Sequence, residues 1–255
     1  MKIQKIVQVL LLLFIGISGL TNCSNDSENE VKIFHLSFEK NYYERPMQGA
    51  KSIMIRGGNR DYTITVENPE ILEATVDLSS LTGMGNLNIY PKQIGETIVK
   101  VHDNIINETV NLTIKIVYSY LNLVVAAPIQ SPYKSGDRFF LINNNESSFY
   151  LYDEDWELKS TGKYHFSTEN NTPYMELIFK EKFDGRNIYK YDLSNTSQEM
   201  FYAIKALLDW DWHDFTKSPG TRESAPITMN ATDTETGVQY YFFLGNNDMP
   251  ENVLE

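Results

Sequence analysis

The stretch Val110-Asn111-Leu112-Thr113-Ile114-Lys115-Ile116-Val117 decides the reading of the fold. Val110, Leu112, Ile114 and Ile116 take every second position, with Asn, Thr and Lys between them. Period two places the apolar set on one face of an extended chain, the pattern of a half-buried strand. Working outward, Leu87 and Ile89 alternate in "LNIYP", and Val99 and Val101 in "TIVKVHD". Turn residues separate these runs at Gly57-Gly58-Asn59, Asn68-Pro69, Gly83-Met84-Gly85-Asn86 and Asp103-Asn104. Short strands at this spacing, with no helical stretch among them, predict a small β-sandwich over residues 32–118.

A boundary is expected near 118–122, inside "YSYLNLVVAAPIQSPYKSGD", whose first half reads as a strand before Pro128 and Pro132 break the chain. Strand text then resumes in "RFFLI", "SSFYLYD", "GKYHFS", "YMELIFK", "NIYKYDL", "PITMNAT" and "VQYYFFL". One helix is predicted near 197–210. Thr196-Ser197-Gln198-Glu199 has capping-box spacing, and Met200, Phe201, Ile204, Leu207 and Leu208 recur at three and four residues. "KSPGTRESAP" closes it with loop chemistry. The expected fold class is mainly β. A sandwich is followed by an antiparallel β-rich domain at 119–255, a twisted sheet or partly closed barrel carrying one packed helix.

The 255 residues carry 34 acidic and 22 basic side chains, a formal charge of −12. That balance argues against nucleic acid and anionic headgroups as partners, since both are polyanions. The sole cysteine, Cys23, cannot form an internal disulfide. Before it, Lys2 and Lys5 precede an apolar run from Ile6 to Ile17. The run is shorter than the roughly 20 residues that span a bilayer and fits the apolar region of a signal peptide.

Leu20-Thr21-Asn22-Cys23 resembles the bacterial lipobox, with Asn22 larger than the residue usual there. The resemblance implies a diacylglycerol on the Cys23 thiol, removal of residues 1–22, and acylation of the new amino group. Several acyl chains give stable membrane anchoring where one does not. Residues 23–31 are polar and acidic, a flexible tether. Ser24–Glu30 also resembles the acidic export signal of surface lipoproteins in the Bacteroides group, which implies an outer-membrane protein facing outward.

"IYPKQIGETIVKVHD" and "RGGNRDYTITVENPEILEATV" resemble the strand-turn-strand signature of bacterial immunoglobulin-like domains, over roughly residues 33–117. In that pattern Pro91 fixes an edge and Gly95 permits a turn. The resemblance implies a spacer, adhesive or docking module with no common catalytic residue. Residues 119–255 resemble no family.

The densest mix of chemistry-bearing side chains is "DWDWHDF". Extended backbone would put Asp209, Asp211 and His213 on one face and Trp210 and Trp212 on the other. Carboxylates and an imidazole can hold a metal, and indoles can stack on sugar rings. The opposing reading is a helix end that buries its tryptophans and solvates its acids. Trp156, beside Asp153, Glu154 and Asp155, is a second ligand-binding candidate, against a plain hairpin turn with an exposed aromatic. No hydrolase elbow, zinc-protease helix or phosphate loop is written in the chain, and no cofactor or metal is expected. His35, His102 and His165 each sit in strand-like text.

Three readings stay open. The first is a lipid-anchored, non-catalytic binding or adhesion module, with glycan capture as one form. The others are a structural subunit bound to another surface protein, and a hydrolase of glycans or peptides.

Overall fold

The computed structural model describes residues 33–79, 83–126, 131–212 and 227–254. The first strands are β1 (Tyr42–Pro46), β2 (Ile53–Ile55), β3 (Tyr62–Val66), β4 (Leu72–Asp77), β5 (Gly85–Pro91), β6 (Gly95–Asp103) and β7 (Glu108–Val117). They form two sheets, ordered β1-β7-β6-β3 and β2-β5-β4. The alternating residues of the decisive stretch do what period two demands. Leu112, Ile114 and Ile116 are fully buried, and they share one core with Val99, Val101, Leu87, Ile89, Ile53 and Leu72 of both sheets. Each fully buried aliphatic side chain contributes about 1.5–3 kcal/mol.

β1 runs parallel to β7, pairing Tyr42 with Thr113 and Pro46 with Val117. Pro46 has no amide hydrogen, and an edge strand tolerates that. Gly95 has φ +150°, and a Cβ there would press on Ile71. Asp103 ends β6 fully buried, with Oδ2 accepting from Asn59 N at 2.7 Å and Oδ1 from Ile105 N at 3.0 Å. Burial alone would raise its pKa. The bonds from Asn59, Ile105 and Ile106 outweigh that and hold the carboxyl below its ordinary range.

The second set is β8 (Tyr120–Ala126), β9 (Arg138–Ile142), β10 (Ser148–Tyr152), β11 (Leu158–Glu169), β12 (Thr172–Phe183), β13 (Arg186–Asp192), β14 (Thr228–Asp233) and β15 (Gln239–Leu244). All neighbours are antiparallel and consecutive, and β15 returns to pair with β8, Tyr241 opposite Ala126 and Phe243 opposite Val124. The barrel is therefore closed, which removes every free edge. That is more complete than the twisted or partly closed sheet read from the sequence. Its inward positions are apolar and largely aromatic: Phe139, Phe149, Phe179, Tyr189, Tyr191 and Phe242. An eight-stranded barrel is just wide enough for side chains to fill it. Gly162 makes room for this filling, since a Cβ there would lie 2.6 Å from the Phe149 ring.

Helix α1 (Gln198–Leu208) turns Met200, Phe201, Ile204 and Leu208 into one rim of this core. Its N-cap is Ser197, whose Oγ accepts from Met200 N, rather than the Thr196 read from the capping-box spacing. Thr196 has another task. β13 and β14 pair over only two residues, Tyr191 with Asp233 and Asp192 with Thr232. Beyond them Thr196 Oγ1 donates to Asn230 O and accepts from Asn230 N, while Ser197 N donates to Thr228 O. Side-chain hydroxyls thus complete the wall where the strand has left it.

The described residues from His35 to Leu254 belong to one unit. A segment at 245–254 joins sandwich to barrel. Met249 and Leu254 are buried in one cluster with Val117, Phe140, Ile142 and Tyr152. Around them Lys40 pairs with Glu251 at 2.5 Å and Lys51 with Asp248 at 2.9 Å. Lys115 Nζ donates to Leu254 O at 2.6 Å and Asn252 N to Glu44 Oε1 at 3.1 Å.

Candidate functional site

The cluster after α1 begins with Asp209, the left-handed C-cap (φ 57°) whose amide donates to Lys205 O. The backbone then runs on without regular structure, and the expected alternation appears, with Asp209 and Asp211 exposed and Trp210 and Trp212 half-buried. The indoles face the barrel core. Trp210 stacks on Phe166 with centroids 4.9 Å apart, and Trp212 lies 4.6 Å from Phe201. Trp212 Nε1 is buried without a partner among the described residues. Asp211 forms an ion pair with Lys205. The ring offered by the sequence as a sugar platform is thus packed against the core by one face. His213 lies outside the described residues, as does Cys23. Among the described residues no three His, Cys, Asp or Glu side chains gather at metal-binding distance.

Trp156 is elsewhere. It occupies the β10–β11 turn at φ 67°, a conformation that bulky residues rarely adopt, and is 37% exposed. Asp153 builds that turn, its Oδ1 accepting from Asp155 N and Glu157 N. Arg138 sits 4.6 Å over the indole, which also tilts against Phe140 and Tyr152. Phe140 points outward from the barrel wall and its neighbour Phe139 inward. Trp156 therefore lies on the outer wall, while Trp210 and Trp212 cover an end of the inner core. The fold does not bring the two candidates together.

Inside the barrel the polar groups are matched to one another. Tyr133 reaches in from the β8–β9 connection, and its hydroxyl meets that of Tyr191 at 2.7 Å. Burial pushes both phenols well above their ordinary pKa. At the same rim Asp137, almost fully buried, accepts from Lys134 N and pairs with Lys159 at 2.5 Å. Asp233, also buried, pairs with Arg186 and accepts from the amides of Glu235 and Thr236. Arg186 lies 3.9 Å over the Tyr189 ring. These acids tie loops and strand ends together, and each has its hydrogen bonds supplied.

The outer wall of β11 to β13 carries Lys163, His165, Glu176 and Lys190 together with the exposed Ile178 and Ile188. On these strands charged side chains face out, where a membrane barrel carries its apolar band. Among the described residues no helix is long and apolar enough to cross a membrane. Several clefts mark the surface. One at the sandwich–barrel seam, lined by Lys40, Glu44, Arg45, Asp248 and Glu251, is occupied by the ion pairs that hold the C-terminal segment. Another, of about 190 Å³, opens on the outer face of β14 and β15 between Asn195, Asn230, Thr232, Gln239 and Tyr241. Sequence reading passed over it. Its signal is in Gln239-Tyr240-Tyr241-Phe242-Phe243, where aromatics fill both faces of one strand and one face must meet solvent.

No protein-family model matches the sequence, and no curated protein matches it. Among solved structures, domains 5–6 of the S-layer protein SbsC are similar at 10% identity and a TM-score of 0.28, covering 84% of this chain and 85% of that one. Domains 4–9 of the surface layer protein SbsC match at 10% identity and a TM-score of 0.28, covering 82% of this chain and 30% of that one. Likeness at this level assigns neither fold family nor activity.

Proposed function

We propose that this protein is a lipid-anchored, outward-facing binding module of the outer membrane, in which a bacterial immunoglobulin-like sandwich holds the barrel away from the bilayer. The observation that carries the reading is the direction of two strands. β1 runs parallel to β7, and β7 ends at Val117, three residues before the barrel begins. The chain therefore comes into the sandwich at the pole opposite the barrel, where His35 Nδ1 meets Glu108 Oε1 at 2.5 Å and Leu36 N donates to Glu108 Oε2. The ten residues of β7 span about 33 Å at roughly 3.3 Å each. A chain anchored at Cys23 therefore reaches the barrel only through the sandwich.

A binding role also agrees with the use of the barrel's buried acids, Asp137 and Asp233, which are held in structural pairs. Labelled palmitate should enter the wild-type chain and not Cys23→Ala, and the purified full chain should bind members of a glycan array. Label retained in Cys23→Ala would remove the anchor. A silent array, with stoichiometric crosslinking to one outer-membrane protein, would replace the reading with that of a structural subunit.

A further inference from the structure

The barrel wall carries a cleft whose chemistry matches one class of ligand, and we infer that the face of β14 and β15 around Asn230 and Tyr241 binds a single ring of a neutral glycan. The inference rests on the binding-module reading and assigns it a site.

The lining is uncharged in a chain of net charge −12. Asn195, Asn230 and Gln239 contribute carboxamides, and Thr232 a hydroxyl. A carboxamide offers two donors and an acceptor with two lone pairs, which suits the neighbouring hydroxyls of a sugar. Tyr241 supplies the flat surface. It stands opposite Asn230 in the ladder and is 44% exposed, because the alternation of β15 sends Tyr240 and Phe242 into the core and Tyr241 out. A sugar's C–H face can cover that ring while its hydroxyls reach the amides.

Two of the three amides are held in place. Asn230 Nδ2 donates to Asn195 O at 2.8 Å, its backbone is fixed on both sides by Thr196 Oγ1, and Gln239 Oε1 accepts from Tyr241 at 3.4 Å. Asn230 Oδ1, buried beside the cleft, has no partner among the described residues. A buried acceptor left unmade is destabilising, so a ligand that fills it gains differentially. Asp192, opposite Thr232 in the ladder, is turned to its own loop, where Oδ1 accepts from Ser194 N at 2.7 Å. The volume, about 190 Å³, falls below the roughly 300–1,000 Å³ of drug-sized sites, so the cleft takes one residue of a chain rather than a whole oligosaccharide. Recognition of an internal or terminal ring leaves the rest of the polymer in solvent.

The test uses the full chain in a detergent without a sugar headgroup, on an array of neutral oligosaccharides (glucans, mannans, xylans, galactans) and acidic ones. Binding to neutral members should weaken about tenfold or more in Tyr241→Ala and in Asn230→Ala. Tyr241→Phe should retain most of it, and Tyr202→Ala, an exposed tyrosine on α1, should change nothing. Matching circular dichroism and melting temperatures show that the variants fold. Neutral binding that ignores both cleft variants overturns the site and leaves the glycan-binding reading standing. Binding to acidic members alone overturns the neutral-ligand assignment. An array silent throughout overturns the inference and glycan capture together.

Discussion

The hydroxyls of Tyr133 and Tyr191 meet at 2.7 Å in the barrel interior, one delivered by a loop and the other by β13. Each is the polar tip of a side chain otherwise surrounded by rings, with Phe183 stacked on Tyr133 and Tyr189 on Tyr191. Truncating one hydroxyl leaves the other buried and unpaired. Tyr133→Phe and Tyr191→Phe should each cost about 1–3 kcal/mol, and the double variant little more than either single. Urea unfolding of the four proteins measures this; additive losses would mean that the hydroxyls do not interact.

Stability should fall steeply in alkali. A phenol whose pKa is higher in the fold than in the unfolded chain contributes stability that is fully present below the ordinary value near 10. That contribution is lost as pH rises toward the folded value. Burial pushes Tyr120 and Tyr164 up to about 12, and Tyr133 and Tyr191 further. The melting temperature should therefore be insensitive to these groups below about pH 9 and drop between about pH 10 and 12. The part of the tyrosinate absorbance that belongs to Tyr133, Tyr164 and Tyr191 should appear only together with unfolding. Ionisation of all 16 tyrosines well before unfolding would contradict the packed interior.

Trp210→Ala and Trp212→Ala should both destabilise, each by about 2–3 kcal/mol, somewhat less than the roughly 3–5 of a fully buried aromatic. Their rings lie on Phe166 and Phe201. Had Trp212 served as an exposed sugar platform, its loss would spare the melting temperature. An unchanged melting temperature in Trp212→Ala would restore that expectation.

What the sequence shows and hides follows from the range of each interaction. Alternation in Leu112, Ile114 and Ile116, and the apolar stripe of Met200, Phe201 and Ile204, are local, and both elements stand where they were read. Barrel closure is not local, since Tyr241 pairs with Ala126 across more than a hundred residues and either could have been an edge. The Thr196 hydroxyl looked like a cap because spacing alone does not reveal that Asn230 needs wall partners. Likewise Tyr133 sits in turn-forming text, and only the assembled barrel gives its ring a place.

Truncation after Asn247 should separate the unfolding of the two halves. It removes Asp248, Glu251 and Asn252, the partners of Lys51, Lys40 and Glu44, together with the buried Met249 and Leu254. One urea transition in the full chain should become two in the truncated one. A single transition at an unchanged midpoint would mean that the segment does not couple sandwich and barrel.

The central claim, an anchored chain that presents its barrel outward, is tested most directly by thiol labelling of intact cells. Ser135 is exposed in the β8–β9 connection, at the barrel rim where Tyr133 enters, and β8 runs toward that rim from the sandwich. A membrane-impermeant maleimide should label Ser135→Cys on unbroken cells and leave the wild-type chain unlabelled, because acylation would occupy the Cys23 thiol. Labelling of the wild type would mean that Cys23 is free, and labelling of Ser135→Cys only after the outer membrane is opened would mean that the barrel faces inward.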